Sequence, residues 1–323
     1  MIQQSERWPA LPYAAWRDTA ATLLLWTQIV GKLRVAQTPW LNHSWHGALY
    51  VTARGLSTSP IRHAGGVFDC EFDFVAHRLA IRADNGGERH VALRPQSVAA
   101  FYRAVMDALE QLGVPCAIDR MPNEVPDAMA FDRDEIHKSY DADAAHRFWR
   151  VLVQCDRVFK EFRTGFLGKA SPVHFFWGSF DLAVTRFSGR AAPLHPGGIP
   201  HLPDAVVREA YSHEVSSAGF WPGGGAVEYP AYYSYAYPTP ARFAGARVHP
   251  SEAFFSRELG EFLLPYEAVR TASDPKRKLM EFLQSTYLAA ANLGNWDRER
   301  LDCALGEPGR PRPLRDAVQR EAR

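Results

Sequence analysis

Residues 171–190 read Ser-Pro-Val-His-Phe-Phe-Trp-Gly-Ser-Phe-Asp-Leu-Ala-Val-Thr-Arg-Phe-Ser-Gly-Arg, and this stretch is central to our interpretation of the fold. It is mostly apolar and strand-like, yet it carries His174, Trp177, Asp181 and Arg186. Polar and charged side chains are costly to place in an apolar strand unless they have a partner. We therefore expect this stretch to form part of an antiparallel sheet and to line a binding site.

Two later stretches add to the same candidate site. Residues 211–225 mix charged and aromatic side chains with three consecutive glycines, and residues 229–238 are nearly all tyrosine and alanine. Aromatic rings with polar tips suit a pocket for a planar or sugar-like ligand, because ring stacking and hydroxyl hydrogen bonds combine there. An aromatic ladder between strands is an equally good interpretation of the tyrosines. The residues of interest are His213, Glu214, Trp221, Tyr233 and Tyr235.

The composition is that of an ordinary globular protein. With 323 residues, 46% of them hydrophobic, the chain is long enough for two domains or one large one. The net charge of +1 provides no field that would attract nucleic acid or an anionic membrane, so we expect neither as a partner. The four cysteines form no C-x-x-C pair, which argues against a disulfide scaffold or a zinc ribbon. We see no signal peptide and no apolar run that could span a bilayer, so we expect a cytoplasmic protein.

Periodicity and turn residues predict both long helices and antiparallel strands. Residues 67–75 alternate apolar and acidic side chains, which is typical of a half-buried strand. The run from Asp84 to Gly87 predicts a tight hairpin turn. Residues 261–270 are predicted to form a strand, and Pro265, which has no amide hydrogen to donate, suggests either an edge strand or a bulge. The predicted long helices cover approximately residues 14–36, 95–113, 141–165 and 274–294.

The two halves of the chain follow one plan. Each has a long helix, a strand that begins at an aromatic residue plus glycine, further strands, and a closing helix that ends in Leu-Gly. We therefore predict an α+β fold of helix-covered antiparallel sheets, built from two similar α-β-β-β(-β)-α halves related by a pseudo-twofold axis. A coincidence of common element order is the alternative. The predicted divisions are residues 1–133 and 134–305 for the two α+β halves, and 306–323 for a loose tail rich in arginine and proline.

Histidines and acids supply the candidate chemistry. We consider His174 or His213 as a general base, with Asp181 or Glu214 to orient it. We assign no metal site, because there is no H-E-x-x-H motif and adjacent residues of a strand point to opposite faces. The sequence identifies no cofactor. An alternative role for Asp181 is a buried ion pair with Arg186. The predicted ligand-binding residues are Trp45, His46, Trp177, Arg186, Trp221, Tyr233 and Tyr235.

Several motifs are specific enough to suggest a family. They are the runs from His174 to Arg190, Tyr211 to Gly223 and Tyr233 to Pro238, the pair Trp45-His46-Gly47 and Arg54-Gly55-Leu56, and Tyr287 with Trp296-Asp297. Through them the chain resembles, from about Trp8 to Trp296, a bacterial family known only as a domain of unknown function. The resemblance implies a shared fold unit, and it implies no activity.

Three functions follow from these observations. The first is a cleft between the halves that binds a small polar or aromatic ligand, with one of the two histidines as the general base if the protein is an enzyme. The second is a non-catalytic ligand-binding or sensor module with the same cleft. The third is a structural protein whose aromatic patch joins subunits, which requires a large flat apolar surface instead of a pocket. The sequence does not predict the oligomeric state.

Overall fold

A computed structural model describes residues 7–64 and 66–312 of the chain. In that part of the chain, helices and two antiparallel sheets are combined, so the predicted α+β class is confirmed. The helices are α1 (Tyr13–Gln37), α2 (Val98–Gln111), α3 (Ala142–Thr164), α4 (Asp204–Ala210), α5 (Tyr266–Arg270), α6 (Pro275–Leu293) and α7 (Arg298–Leu301). The strands of the first sheet are β1 (Tyr50–Val51), β2 (Gly55–Ser57), β3 (Ile61–His63), β4 (Gly66–Asp73), β5 (Arg78–Ala83) and β6 (Glu88–Ala92). Those of the second sheet are β7 (His174–Phe176), β8 (Asp181–Ala191), β9 (His213–Trp221), β10 (Ala231–Tyr237), β11 (Phe254–Ser256) and β12 (Glu261–Pro265).

Helix α1 lies in the middle of the molecule. Its apolar residues are spread around the helix, and Leu23, Trp26 and Leu33 have no exposed surface. A helix that is hydrophobic on all sides needs neighbours on all sides. One hydrophobic core accordingly includes α1 together with residues from both halves of the chain.

The first sheet follows the sequence pattern closely. Its path is β1-β2-β4-β5-β6, with β3 paired to β4 beyond the end of β2. The apolar side chains of β4 are buried, as the alternation predicted, while Asp69 and Glu71 form ion pairs with Arg82 on the neighbouring strand. The predicted hairpin turn joins β5 to β6. Helix α2 begins after Ser97, whose hydroxyl caps the amide of Ala100.

The second sheet has the path β7-β8-β9-β10-β12-β11. Helices α3 and α6 begin at caps formed by Asp141 and Asp274, as expected, and both pack on one face of this sheet. We call that face the inner face and the opposite one the outer face. The prediction of a strand over 261–270 was wrong in its second half. Strand β12 ends at Pro265, where the missing amide hydrogen ends the ladder and α5 begins.

The two sheets meet edge to edge at a single antiparallel bridge. The amide of Leu49, just before β1, donates to the carbonyl of Phe175 in β7 over 2.9 Å, and the Phe175 amide returns a bond of 2.7 Å. From this junction each half begins as a meander, but in the second sheet β12 lies between β10 and β11. The predicted pseudo-twofold duplication is therefore not confirmed and stays a prediction, as do the boundaries at residues 133 and 305.

Only the beginning of the predicted tail, residues 306–312, belongs to the described part of the chain. There the guanidinium of Arg312 donates to the Thr164 carbonyl at the end of α3. Residues 313–323 lie outside the described residues. Among the helices that are described, none combines the length and the apolar character needed to cross a membrane.

Candidate functional site

The outer face of the second sheet carries the polar side chains that the sequence singled out. Strand pairing sets Thr185, Ser217 and Tyr235 in one row across the sheet, and Ala183, Gly219 and Tyr233 in the next. Residues directly opposite each other in an antiparallel pair project to the same side. The small residues Ala183 and Gly219 leave space above the sheet beside these polar groups.

Asp181 and Tyr233 are bonded to each other on this face. The Tyr233 hydroxyl donates to Oδ2 of Asp181, and the Ser179 hydroxyl donates to Oδ1 over 2.5 Å. The tyrosine reaches across the sheet because Gly219 has no side chain. A Cβ at Gly219 would lie 2.3 Å from the tyrosine hydroxyl. Burial raises the pKa of Asp181, although both hydroxyl donors favour its ionised form.

Two further carboxyl groups surround this pair. Glu124 comes from the segment between the halves. Its side chain lies against Gly178, and a Cβ added to this glycine would lie 2.0 Å from Oε1 of Glu124. Glu261 opens β12 on the same face of the sheet as Leu263. Burial, together with the charge of Asp181, raises the pKa of both glutamates to about 7. Asp181 is therefore close enough to both glutamates to influence their ionisation.

A group of stacked tyrosines completes the site. The hydroxyls of Tyr211 and Tyr235 are 2.8 Å apart, and the ring of Tyr235 stacks on Tyr233 at 6.1 Å between centroids. Tyr211 in turn stacks on His195 with centroids 4.7 Å apart. Burial raises the pKa of all three tyrosines, with a further contribution from the charge of Asp181, so their hydroxyls are protonated at neutral pH.

We call this arrangement the acid–tyrosine recess. It consists of Glu124, Asp181, Tyr211, Tyr233, Tyr235 and Glu261. All of these residues except Asp181 keep part of their surface exposed, yet desolvation is the main cause of each raised pKa. These side chains are thus surrounded by other protein atoms, while part of each remains accessible to solvent. Within residues 7–64 and 66–312, no lysine, arginine or histidine forms an ion pair with any of its three acids.

His174 lies on the outer face but is enclosed. Only 1% of its surface is exposed, its Nδ1 bonds to the Pro172 carbonyl over 2.7 Å, and its buried Nε2 has no hydrogen-bond partner among the described residues. Burial lowers the pKa of His174 to about 4, so the imidazole is neutral and Nε2 is an acceptor. The expected orientation of His174 by Asp181 is corrected, because the aspartate is bonded to Ser179 and Tyr233.

Arg186 is turned away from the recess. Its guanidinium lies on the inner face between the rings of Phe162 and Tyr287, with its central carbon 3.6 Å and 4.3 Å from their centroids. Burial lowers the pKa of Arg186 to about 10. The suggested ion pair between Asp181 and Arg186 was wrong. The two residues are five positions apart on one strand, so their side chains point to opposite faces of the sheet.

His213 and Glu214 also point to opposite faces, as expected. Glu214 accepts two bonds from Arg190, at 3.0 Å and 2.6 Å, so it does not orient His213, and that part of the prediction is corrected. The Nδ1 of His213 lies 3.0 Å from the Ser212 hydroxyl. The His213 ring is close to His43, which contacts Trp45 as well.

The remaining predicted ligand-binding residues are separated from one another. Trp177 packs over Gly31 of α1 and donates to the Gly47 carbonyl over 2.7 Å. Trp221 belongs to a small apolar cluster with Val227 and Leu263. His46 is buried against Trp40, with ring centroids 4.5 Å apart.

Two other kinds of site were considered in the described part of the chain. No group of three or more histidine, cysteine, aspartate or glutamate side chains is arranged there to hold a metal ion. A wide, open depression lies between Thr19, Gln96 and Lys138, and it includes none of the predicted site residues.

Sequence reasoning found Asp181, Tyr233 and Tyr235 but missed the partners that define the site. Glu261 carried a usable signal, because a strand beginning at residue 261 would place it two positions from Leu263 and on the same face. Glu124 carried none, since it lies in an irregular segment with a backbone φ of 60°. Its position depends on the bond from its amide to the Pro200 carbonyl in a distant loop.

The chain was compared with known families, curated proteins and solved structures. No curated protein and no solved structure gave a significant match. Residues 8–303 match a family of unknown function, DUF5996, which covers nearly the whole chain and includes both sheets and the recess. This chain belongs to the DUF5996 family.

Proposed function

We propose that the acid–tyrosine recess binds a small polar ligand that is a cation or is rich in hydrogen-bond donors. The observation that carries this proposal is the group of three desolvated carboxyls, Glu124, Asp181 and Glu261, none of which forms an ion pair with a cationic side chain of residues 7–64 or 66–312. A desolvated carboxylate without a partner costs free energy, and a bound cation would remove that cost. The tyrosine rings add faces that attract a cation.

The enclosed histidine supports the same ligand chemistry. His174 lies in the row of Ala183, Gly219 and Tyr233, with two strands between it and Tyr233, and its Nε2, which has no hydrogen-bond partner among the described residues, is an acceptor. This nitrogen and the three carboxyl groups are acceptors on this part of the sheet. A ligand with amine or guanidine groups supplies the missing donors, whereas a carboxylate or phosphate does not.

Thermal shift and calorimetry with matched compounds test this proposal. We expect alkyl diamines and guanidines to raise the unfolding midpoint and to bind, while the diols of equal length do not. Asp181→Asn should abolish the effect, and Glu214→Gln should preserve it because Glu214 is bonded to Arg190 away from the recess. Equal binding of diols and diamines would contradict a cationic ligand. No binding of either class would contradict the recess as a ligand site.

A second candidate function is acid–base catalysis in the same recess. It is favoured by the pKa of about 7 of Glu124 and Glu261, since a general acid or base works best when its pKa is near the working pH. The glutamates are better placed for this role than His174, which is enclosed and neutral. Turnover of a bound ligand that falls with pH on both sides of neutrality would support catalysis. Binding without turnover would support the sensor module.

The proposal also includes where the protein acts and what it does not bind. A cytoplasmic location is supported by four free cysteines and the absence of close cysteine pairs. The near-zero net charge supports a small-molecule ligand over nucleic acid. The subunit-contact function is less well supported, because the hydroxyls of Tyr211, Tyr233 and Tyr235 make polar bonds within the chain.

A further inference from the structure

A second group of reactive side chains lies where the two halves meet, apart from the acid–tyrosine recess. We call it the lysine–histidine cluster, and it consists of His43, Trp45, Lys169, Phe187 and His213. The Nζ of Lys169 lies 2.7 Å from Nε2 of His43. From this contact we propose that Lys169 is a nucleophilic amine that forms an imine with a small aldehyde or ketone, with His43 as the proton acceptor.

The hydrogen bonds of His43 define its role. Its Nδ1 is 2.8 Å from the carbonyl of Ala210, an acceptor that must receive a proton from the ring. The neutral ring then carries its lone pair on Nε2, the atom that faces Lys169. Burial lowers the pKa of His43, which keeps the ring neutral. His43 is therefore bonded as a base in hydrogen-bond contact with an amine.

The Lys169 amine lies beside two aromatic rings and a neutral base. Its Nζ lies 5.4 Å from the ring centroid of Trp45 and 5.0 Å from that of Phe187. Burial lowers the pKa of Lys169, and the charge of Glu209 partly opposes this change. A lysine next to a base is activated as a nucleophile, because the base can take up the proton that the amine loses.

Lys169 differs from most other lysines of the chain. The sequence contains six, and four of them, Lys32, Lys160, Lys276 and Lys278, form ion pairs with carboxylates. An ion pair stabilises the protonated form, which cannot attack a carbonyl carbon. Lys138 is exposed and forms no ion pair among the described residues, so it is the matched reference within the same chain.

The position of the amine is fixed by the fold. The Phe187 amide in β8 donates to the Lys169 carbonyl over 3.0 Å, which anchors the lysine backbone to the second sheet. On the other side, His43 and Ser44 both have left-handed backbone conformations, with φ of 59° and 58°. Residues other than glycine rarely adopt such backbone conformations, and backbone strain of this kind is concentrated at functional sites.

The proposed reaction balances without any further reagent. The Lys169 nitrogen attacks the carbonyl carbon, a carbon–nitrogen bond forms, and the carbonyl oxygen takes up a proton. His43 accepts a proton from the nitrogen. The first proton on the oxygen comes from solvent. The protonated His43 then gives its proton to the resulting hydroxyl group, the carbon–oxygen bond breaks, water leaves and the protonated imine remains. Exposure of Lys169 lets a small carbonyl compound reach it from solvent.

Reductive trapping on the full-length chain tests this proposal. The protein is incubated with glycolaldehyde and cyanoborohydride at pH 7, and the adduct at each lysine is measured by peptide mass spectrometry. We expect Lys169 to react at least tenfold faster than Lys138 in the folded chain and at an equal rate in urea. An equal rate in the folded chain would overturn the proposal.

Two variants separate activation from simple exposure. His43→Gln keeps a hydrogen-bond acceptor but removes the base, so the rate at Lys169 should fall to that of Lys138. Glu209→Gln removes the charge that favours the protonated amine, so the rate should rise. A lower reaction rate at Lys169 in Glu209→Gln, or an unchanged rate in a folded His43→Gln variant, would contradict the role of these groups. The measurement does not depend on the acid–tyrosine recess, so its result remains valid if that recess binds no ligand.

Discussion

The Tyr233 hydroxyl crosses above Gly219 to donate a hydrogen bond to Asp181, and these two residues come from strands that are not neighbours. Strand β9 lies between them and supplies only a glycine at the crossing point. The bond therefore depends on one missing side chain as much as on the two groups that form it.

Removal of the hydroxyl tests the bond directly. In Tyr233→Phe, the buried Asp181 loses one of its two hydroxyl donors, and we expect a loss of about 2 kcal/mol in the free energy of unfolding at pH 7. Tyr237→Phe is the control, because the Tyr237 hydroxyl donates to the carbonyl of Pro193 on the surface. Urea unfolding of both variants measures the difference. Equal losses would show that Asp181 gains nothing from Tyr233.

A methyl group at position 219 should produce a related defect. In Gly219→Ala, the new Cβ would lie 2.3–2.5 Å from the ring and hydroxyl of Tyr233, so the ring must move and its bond to Asp181 must break. Overpacking of this kind costs about 1–3 kcal/mol. Gly245→Ala is the matched control, since a Cβ there meets no atom within 4 Å. Similar unfolding midpoints for the two variants would show that the Tyr233 ring can move without loss of stability.

The glutamates of the recess should make stability depend on pH. Glu124 and Glu261 have a pKa of about 7 in the folded protein, above the ordinary value of 4.5. The folded state therefore holds more protons than the unfolded state between pH 4.5 and 7. Their contribution to stability is fully present below pH 4.5 and is lost as the pH rises through 7.

Glutamine variants isolate this effect. We expect Glu124→Gln and Glu261→Gln each to be more stable than the wild type at pH 8 by on the order of 1 kcal/mol, after allowance for solvent screening. The advantage should disappear at pH 4.5. Glu110→Gln is an exposed control that should change neither value. A Glu261→Gln variant that is less stable at pH 8 would mean that the carboxylate is held by a favourable partner.

His174 should stay neutral over most of the accessible pH range. Burial lowers its pKa to about 4, so we expect its ring resonances in NMR spectra to be unchanged between pH 8 and pH 5.5. The spectrum of His174→Gln assigns those resonances by their absence. Because the folded pKa is depressed, this residue contributes stability above pH 6.5 that is lost as the pH falls through 4. Titration of the ring near pH 6.5 would show that solvent reaches it.

Local patterns predicted the elements of the fold well. The caps at Asp141 and Asp274, the alternation in β4 and the hairpin between β5 and β6 all depend on neighbouring residues, and the structure confirms them. The helix at Tyr266–Arg270 was not recognised. Its apolar residues are too few to distinguish one helical turn from the continuation of a strand.

The site was predictable only where it follows the strands. Alternation placed Tyr233 and Tyr235 on one face, and strand pairing brings Asp181 to the same face. The position of Glu124 in the site depends on contacts between segments far apart in the sequence, including the hydrogen bond from Gln28 in α1 to the Asn123 carbonyl. No local pattern records such contacts. The expected acid–histidine pairs failed for the same reason, since proximity in sequence did not produce contact in space.

The junction between Leu49 and Phe175 has a consequence for any attempt to divide the protein. In the intact chain, the edge of β7 that has no neighbouring strand in its own sheet is paired with Leu49, the residue that precedes β1. If the C-terminal half were produced alone, the run His174–Phe176 would become an open edge strand of aromatic residues with unpaired amides and carbonyls. Such an edge is a template for pairing with other chains. The bridge to Leu49 therefore protects β7 from such pairing, and separation of the two halves would leave an aggregation-prone fragment.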